Sequence, residues 1–494
     1  MMRSKCSLIF LFLLSFFMTA MAQDEVRLRN CRRGTPRPAE GLHHAAHLSR
    51  TPGGNFYKGD RHQLVVLVDF ADRSFKDDET TTMDLWNKVF NTENLTEAPY
   101  KGSVRDYFFA QSYSQLNLTF DLQFVQLSEN CEKYRSWDKG YGDAEDDDEN
   151  SQYLVQDIME VLKARDINWS LYDWNGDGYV NQLVIVYAGK GMNDGGGKNS
   201  IWPHQWWLSE HLKDHQPDVY CDPVKVNYSD KDYLVDCYCA IEELGVTYAS
   251  FGTICHEYSH CFGLPDFYYG STKNVGSWDL MDYGNYNGGG YCPSGYSAHE
   301  RMLMGWLDIT ELSEPSVIND LGSLEEQSRA YLIRNDGYAN EYYIVENRQQ
   351  TGWDQSLPSS GIVIFHIDYD EDVWKNGLPN TPYQKRYTIF PANNKTSISY
   401  ESYWAYPYNG NNALTNESAP ASTLLHENVD ATLFMSKPLT NMSITNGLAS
   451  FDFMGGSTGI FEKKVWGQPR ILYDFGPIYI IRNAQGEIKK VIKH

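Results

Sequence analysis

The sequence predicts an α+β fold, in which a mixed sheet with flanking helices is followed by an all-β accessory region. One observation is a pair of short runs, 63–69 (QLVVLVD) and 182–189 (QLVIVYAG), whose continuous apolar character is typical of strands buried on both faces. Another is the helical spacing of apolar residues between these two runs. The last is a change after about residue 312 to alternating strands separated by Gly, Pro, Asn and Asp.

The N-terminus predicts export. Residues 1–22 begin with Arg3 and Lys5, continue with an apolar run too short to span a membrane, and end in the small-residue pattern Ala20-Met21-Ala22. We therefore expect a cleaved signal peptide and a mature chain that is secreted or held at the cell surface, without a membrane span. Residues 23–58 are rich in Arg, Gly, Pro and His and lack apolar periodicity, which predicts an extended leader or propeptide.

Size and charge set the outline of the remaining chain. The 494 residues are enough for two or more domains, and the formal net charge of −23 argues against nucleic acid as a partner. We expect a first domain over 59–312, a β-rich accessory region over 313–456 and a C-terminal β-hairpin tail over 457–494. The nine cysteines show no framework that fixes their connectivity, so disulfides and buried thiols both stay open.

The elements follow in order along the chain. Helical spacing predicts helices over 103–114 and 152–164, and a further helix over about 246–262 that packs beneath the sheet. The β-rich region is expected to contain the strands 342–345, 362–367, 387–390 and 449–453, and the tail a hairpin over 478–492 that turns at 483–486. The acidic run 143–149 is most simply a solvated helix start, with a calcium role as the alternative.

The stretch 256–266, HEYSHCFGLPD, has the residue types and spacing of a zinc site. His256 and His260 are one helical turn apart and share a face, so both imidazoles can bind one zinc ion. Glu257 is too near its own histidine to be the natural third ligand, but it can reach a water and act as general base. Gly263 can end the helix and turn the chain so that Asp266 becomes the third ligand. The alternative is a pair of core or surface histidines.

The segment 277–284, SWDLMDYG, follows this motif at a short distance. A methionine in a tight turn beneath a three-ligand zinc site, here Met281, supplies an apolar floor, and Tyr283 is placed to reach a substrate carbonyl or its oxyanion. A rival for the third ligand is Glu300, which lies on a predicted downstream helix; the glycine-turn spacing favours Asp266.

These residues carry a family resemblance. HExxHxxGxxD followed by Met-x-Tyr resembles the metzincin zinc proteases in which aspartate replaces the third histidine. The segments 103–108 (SVRDYF), 173–189, 263–266 (GLPD) and 346–350 (ENRQQ) resemble the immune inhibitor A family of secreted bacterial metalloproteases, over about 64–453. The resemblance implies a zincin-like catalytic domain and zinc endopeptidase activity on protein or peptide substrates. The large members' extra C-terminal modules are not implied, because this chain is shorter.

Other functions stay open at this stage. One is a narrow exopeptidase or processing peptidase with the same chemistry, and another is an adhesin or binding module whose zinc is structural. A structural zinc site is normally closed by four protein ligands and has no need of Glu257, which argues against the second. Cys31 in the leader could hold zinc as a thiolate in a latent precursor; a cysteine without a role is the simpler interpretation.

A second motif, 173–181 (DWNGDGYVN), resembles the first half of a calcium-binding loop. The predicted calcium ligands are the side chains of Asp173, Asn175, Asp177 and Asn181 and the carbonyl of Tyr179. Position 12 is Val184, where a bidentate glutamate is expected, so an Asx-rich turn is the alternative. His204 is interpreted as a packed residue among aromatics. The polar residues Glu346, Arg348, His366 and Asp368 lie on predicted strands of the β-rich region, and cross-strand pairing is taken to explain them.

Overall fold

The computed structural model describes most of the chain between residues 57 and 456, together with three strands beyond it. The described ranges are 57–135, 150–197, 199–210, 222–245, 250–270, 272–375, 377, 379–398, 402–456, 470–474, 478–482 and 488–492. The predicted signal peptide, nearly all of the leader including Cys31, and the acidic run 143–149 lie outside these residues.

The first half of the chain forms a five-stranded mixed sheet and a small three-stranded one. The strands are β1 (Gly59–Asp69), β2 (Leu116–Gln126), β3 (Tyr179–Val180), β4 (Leu183–Lys190), β5 (His204–Trp207), β6 (Val224–Tyr228), β7 (Lys231–Val235) and β8 (Cys237–Leu244). The large sheet has the order β2-β1-β4-β8-β5, and only β5, at one edge, runs antiparallel to its neighbour. The small sheet has the order β3-β7-β6. The predicted mixed sheet is therefore confirmed.

Six α-helices occur among the described residues. They are α1 (Glu79–Asn91), α2 (Val104–Gln111), α3 (Ser151–Leu162), α4 (Ser250–Cys261), α5 (Ala298–Leu303) and α6 (Glu371–Lys375). Local sequence explains where α2 and α5 begin, since Ser103 with Asp106 and Ser297 with Glu300 each form a reciprocal capping box. The helices predicted over 103–114 and 152–164 are present with slightly shorter bounds. None of the helices has the length and apolar character needed to cross a bilayer.

The second half forms two more sheets. Its strands are β9 (Thr310–Glu311), β10 (Ser316–Leu321), β11 (Tyr331–Arg334), β12 (Glu341–Arg348), β13 (Gly361–Asp368), β14 (Tyr387–Ile389), β15 (Leu439–Thr445) and β16 (Leu448–Phe453). The second large sheet has the order β14-β13-β12-β11-β9, and the other has the order β10-β16-β15. The four strands predicted in this region are present. Its all-β character is not confirmed, because α6 lies within it.

The tail contains one strand more than the sequence predicts. Strands β17 (Arg470–Asp474), β18 (Ile478–Arg482) and β19 (Ile488–Ile492) form an antiparallel sheet in the order β17-β18-β19. The pairing of β18 with β19 is the predicted hairpin, and its turn lies outside the described residues.

Strand alternation divides the interior into three cores. Along β1 the side chains of Leu64, Val66 and Val68 face one core, whereas Val65 and Leu67 face the central core that contains α4. The second large sheet repeats the pattern: Ile344 and Phe365 face the same central core, whereas neighbouring residues face a third core shared with β10, β15 and β16. Helix α4 therefore lies between the two large sheets. The predicted domain limits at 59–312 and 313–456 stay predictions.

Candidate metal centre

Helix α4 carries the motif and is buried over its whole described length. A close approach by the segment 284–290 fixes the helix, since a Cβ atom at Gly252 would lie 1.9 Å from the carbonyl oxygen of Asn285. Only glycine fits this position. The rings of His256 and His260 lie one turn apart with their centroids 4.8 Å from each other, so both imidazoles point to the same side of the helix.

The chain turns back directly after α4. Gly263 has a φ of +97°, a left-handed conformation that favours glycine, and its N–H donates to the carbonyl of His260 at 2.8 Å. This turn brings Asp266 to the histidines: its Oδ1 lies 3.0 Å from Nε2 of His256 and 3.3 Å from Nε2 of His260. Among the described residues, these three form the only group of His, Cys, Asp or Glu that could hold a metal ion.

The hydrogen bonds of the two imidazoles show what the centre can bind. Nδ1 of His256 donates to the carbonyl of Leu280 at 2.8 Å, and Nδ1 of His260 to the carbonyl of Leu264 at 2.7 Å. Because a carbonyl only accepts, each neutral ring has its proton on Nδ1 and a lone pair on Nε2. Both lone pairs and the buried Oδ1 of Asp266, which accepts no hydrogen bond, converge. These three converging acceptor atoms could hold a metal cation.

The spacing of these acceptors fits zinc. A tetrahedral zinc ion with bonds of about 2.0–2.1 Å separates its ligand atoms by roughly 3.3 Å, close to the 3.0 and 3.3 Å observed. The backbone carbonyls behind the two rings fix their orientation, as is common for histidines that bind metals. Three protein ligands leave a fourth coordination position open.

The pKa values reflect the same convergence of charges. Burial would lower the pKa of His256, but the adjacent negative carboxylate of Asp266 raises that pKa to about 9. Burial would raise the pKa of Asp266, but the neighbouring histidines lower it to about 2. The Glu257 carboxyl is also buried, and desolvation raises its pKa above the usual value even though both histidines oppose this shift. A raised pKa suits a group that must take up a proton near neutral pH.

The turn that contains Met281 is attached to the candidate metal ligands through the backbone. The carbonyl of Leu280 accepts from His256, and the carbonyl of Met281 accepts from the N–H of Phe267, the residue after Asp266, at 2.8 Å. The turn is fixed by carboxylates on either side of these residues. Asp279 accepts from the Met281 N–H at 2.8 Å. Asp282 accepts from the N–H groups of residues 274, 275 and 276 at 2.7–2.8 Å.

Two tyrosines lie beside the metal ligands. The predicted residue Tyr283 is half-buried, and its ring centroid lies 6.0 Å from that of Tyr268. Tyr268 in turn stacks on His256, with centroids 6.3 Å apart and an angle of 27° between the rings. Tyr268 was missed at the sequence level, although its position two residues after Asp266 is the signal that could have indicated it.

The other candidate third ligand, Glu300, lies elsewhere. It is fully buried on α5, where its Oε2 accepts from the N–H and hydroxyl of Ser297 at 2.7 and 3.1 Å. This capping role uses one oxygen of the carboxylate, and Glu300 is not part of the cluster of His256, His260 and Asp266.

The 173–181 loop forms the turn expected from its sequence. Asp173 accepts from the N–H groups of Gly176 and Gly178 at 2.9 and 3.1 Å, and its Oδ2 lies 3.4 Å from Nζ of Lys231. The other polar side chains also bond within the loop: Asp177 accepts from the N–H of Tyr179, and Asn181 accepts from the N–H of Trp174. These contacts are those of an Asx-rich turn and lend no support of their own to calcium.

For the remaining polar residues singled out in the sequence, some interpretations are confirmed and others are wrong. His204 is packed as interpreted, with Nδ1 bonded to the carbonyl of Trp202 at 2.6 Å. The cross-strand interpretation of Glu346 and Arg348 is wrong. Arg348 bonds within its own strand to Glu346 at 3.0 Å, and to Asp354 in the segment after β12. A fully buried guanidinium needs more than one carboxylate, and strand pairing alone could not supply them.

The buried acids of the second sheet also depart from simple pairing. His366 bonds to Glu341 at 2.7 Å, although the backbone register places it opposite Tyr343, so this contact is diagonal. Asp368 bonds at 2.6 Å to Arg386, which lies directly before β14, a partner that the sequence analysis did not name.

Comparison with known proteins agrees with the geometry. The family described as "Immune inhibitor A peptidase M6, catalytic domain" matches residues 55–305, about half of the chain. "Immune inhibitor A" of Bacillus thuringiensis subsp. alesti is 24% identical over 332 residues, which covers 56% of this chain and 47% of that protein. The chain thus spans about half the length of this relative.

Proposed function

This chain belongs to the immune inhibitor A peptidase family M6 and is therefore a metallopeptidase, and we propose that it is an exported, zinc-dependent endopeptidase that cleaves proteins. The single observation that carries the proposal is the convergence of two imidazole lone pairs and one carboxylate oxygen on a buried point, with Glu257 on the same helix turn. This arrangement needs a cation and leaves a coordination position open for chemistry.

The residues of the chain have distinct roles in the proposed reaction. Zinc, when bound by His256, His260 and Asp266, supplies a Lewis acid that acidifies water and polarises the scissile carbonyl. Glu257 takes the proton from the attacking water and then transfers it to the leaving amine. The hydroxyl of Tyr283 is proposed to donate to the oxygen of the scissile carbonyl as negative charge develops on it.

The arrangement favours a catalytic over a structural metal. A structural zinc site is usually closed by four protein ligands, whereas this cluster has three among the described residues. Desolvation of the buried Glu257 carboxyl disfavours its charged form, and a base at the metal is the functional reason to retain it there. The binding-module alternative therefore has little physical support.

Export is the second part of the proposal. The basic residues Arg3 and Lys5, the following apolar run and the Ala20-Met21-Ala22 pattern are those of a cleavable signal peptide. We propose that the mature protein is secreted or retained at the cell surface as a processed form of a longer precursor. Mass determination of the N-terminus of the exported protein tests this directly; a mature protein that still begins at Met1 would contradict it.

The activity is tested with the purified, processed chain on unfolded casein. We expect cleavage that a zinc chelator abolishes and added zinc restores. Product masses separate the two peptidase classes, because an endopeptidase releases internal fragments, whereas an exopeptidase shortens the substrate residue by residue. If the folded, zinc-loaded protein cleaves neither casein nor short peptides, the proposed function is wrong.

A further inference from the structure

The segment that carries Asp266 is held by two separate parts of the chain. The N–H of Phe267 donates to the carbonyl of Met281, and the carbonyl of Phe267 accepts from the side chain of Asn380 at 2.8 Å. The ring of Phe267 stacks on Tyr387 with centroids 3.7 Å apart and an angle of 14° between the rings. Both Asn380 and Tyr387 belong to the second half of the chain, beyond residue 305, where the family match ends.

Tyr387 also reaches the turn behind the histidines. Its hydroxyl lies 2.8 Å from Oδ2 of Asp279 and 2.8 Å from Oγ of Ser297. Asp279 uses its other oxygen to accept from the N–H of Met281 at 2.8 Å. The residue between them, Leu280, provides the carbonyl that accepts from His256. One tyrosine therefore connects to two of the three metal ligands, to Asp266 through its ring and to His256 through its hydroxyl.

The position of Tyr387 is itself fixed. The residue is fully buried on β14, where Asn380 accepts from its N–H at 3.0 Å and donates to its carbonyl at 2.9 Å. Strand β14 pairs with β13, which pairs with β12 in the second large sheet. The contacts of Tyr387 thus fix the metal ligands relative to this sheet.

We propose that Tyr387 is a positioning residue of the metal centre, so that the second large sheet completes the active site of the peptidase. Tyr387 does not touch the ligand atoms. It fixes the backbone on which Asp266 lies and the carbonyl that orients His256. Residues that do not bind the metal but orient its ligands typically contribute about 10- to 100-fold in metal affinity or activity. The expected effect of Tyr387 on catalysis rests on the proposed function. The expected effect of Tyr387 on zinc binding does not.

The test compares two buried tyrosines of the same sheet. Tyr387→Phe removes the hydroxyl and keeps the ring stack. Tyr343→Phe is the matched control: Tyr343 lies on β12, is buried, and its hydroxyl donates to the carbonyl of Thr423 at 2.7 Å, but it faces the third core. We expect Tyr387→Phe to weaken zinc binding about 10-fold in competition with a chelator, and to lower kcat with little change in KM.

Both variants should lose some thermal stability, because Tyr387→Phe removes the hydroxyl contacts with Asp279 and Ser297 and Tyr343→Phe removes the one with Thr423. A merely structural role would change only this quantity. Equal zinc affinity and kcat in the two folded variants would overturn the proposal. If Tyr387→Phe fails to fold, Phe267→Leu removes the ring stack while keeping the hydroxyl path, and the same zinc titration applies to it. Wild-type protein that binds zinc but cleaves nothing would refute the peptidase activity and leave the zinc comparison intact.

Discussion

At the scale of single residues, the centre is defined by which atoms already have hydrogen bonds. The Nδ1 atoms of His256 and His260 are committed to backbone carbonyls, so that only the Nε2 lone pairs face Asp266. Glu257 lies between the two histidines on the helix and has no part in these bonds. The proposed ligand His256 and the proposed base Glu257 are therefore different residues that are neighbours on one helix. Each role can be tested by replacing one residue and keeping the other.

Replacement of the base should separate metal binding from turnover. Glu257→Ala leaves all three ligands in place, so we expect normal zinc content with a loss of kcat of at least about 100-fold, the usual contribution of a general base. Metal analysis together with casein hydrolysis measures both quantities. Near-normal turnover by the folded, zinc-loaded variant would rule out the proposed mechanism.

Replacement of the proposed third ligand should lower zinc content and activity together. Asp266→Ala removes one of three ligand atoms, so zinc content and activity should fall in parallel. Glu300→Gln is the matched control, because the amide keeps the size of the side chain and can still accept from Ser297. We expect this variant to retain zinc. The reverse result in metal analysis would assign the third ligand to Glu300.

At the scale of elements, the turn over 277–284 contains the buried carboxyl of Asp279, which lies close to the buried carboxyl of Glu300 on α5. Burial raises the pKa of Asp279 to about 6, and burial with the charge of Asp279 raises the pKa of Glu300 well above its usual value. The hydroxyl of Tyr387 on β14, the guanidinium of Arg348 on β12 and the buried Asp282 of the same turn face this pair. The folded state therefore favours at least one protonated carboxyl here.

This pair predicts how stability depends on pH. A carboxyl whose pKa is higher in the folded than in the unfolded state stabilises the fold below its unfolded value of about 4 and loses that contribution as the pH rises. The free energy of unfolding should thus decline as the pH rises from about 4 through about 6 and beyond. In Glu300→Gln one of the two titrating groups is gone, so chemical denaturation across this pH range should give a shallower decline than in the wild type. Equal slopes would contradict the prediction.

The 173–181 loop makes a separate prediction at this scale. If Asp173, Asn175 and Asp177 bind calcium, as their spacing predicts, added calcium should raise the melting temperature, because a ligand bound only by the folded state stabilises it. The effect reaches about 2.7 kcal/mol at a hundred times the dissociation constant. Asp177→Ala should lose this response and retain its zinc. A wild-type melting temperature that is unchanged by millimolar calcium, after chelation, would leave the loop as an ordinary turn.

Local patterns predicted the elements, and distant contacts decided the rest. The strand at 63–69, the turn at Gly263 and the grouping of His256 with His260 and Asp266 all follow from residues close in sequence. Tyr387 could not be found in this way, because it reaches Phe267 only after the chain has passed through four strands of the second large sheet. The partners of Arg348 are close in sequence, but they lie on its own strand and in the segment directly after it, so the assumption of cross-strand pairing gave the wrong partners.

At the scale of the whole molecule, α4 has a sheet on each side. Its central core includes side chains of the first sheet and, from the second, Tyr342, Ile344, Val363, Phe365, Ile367 and Tyr387. Each buried apolar side chain contributes about 1.5–3 kcal/mol. The four that are Ile, Val or Phe together amount to roughly 6–12 kcal/mol, which is similar to the whole stability of a typical domain. The strands after residue 312 are therefore expected to stabilise the metal helix as well as their own sheet.

Truncation at two positions tests this dependence. A chain that ends at residue 312 loses the second sheet with Asn380 and Tyr387, so we expect neither a cooperative unfolding transition nor tight zinc binding. A chain that ends at residue 456 is the control, since it keeps all three cores and loses only the tail strands; it should fold and bind zinc like the full chain. Calorimetry and zinc titration measure both properties. If the shorter chain melts cooperatively and binds zinc with full affinity, residues 59–312 form an independent domain, and the second sheet is an accessory to it.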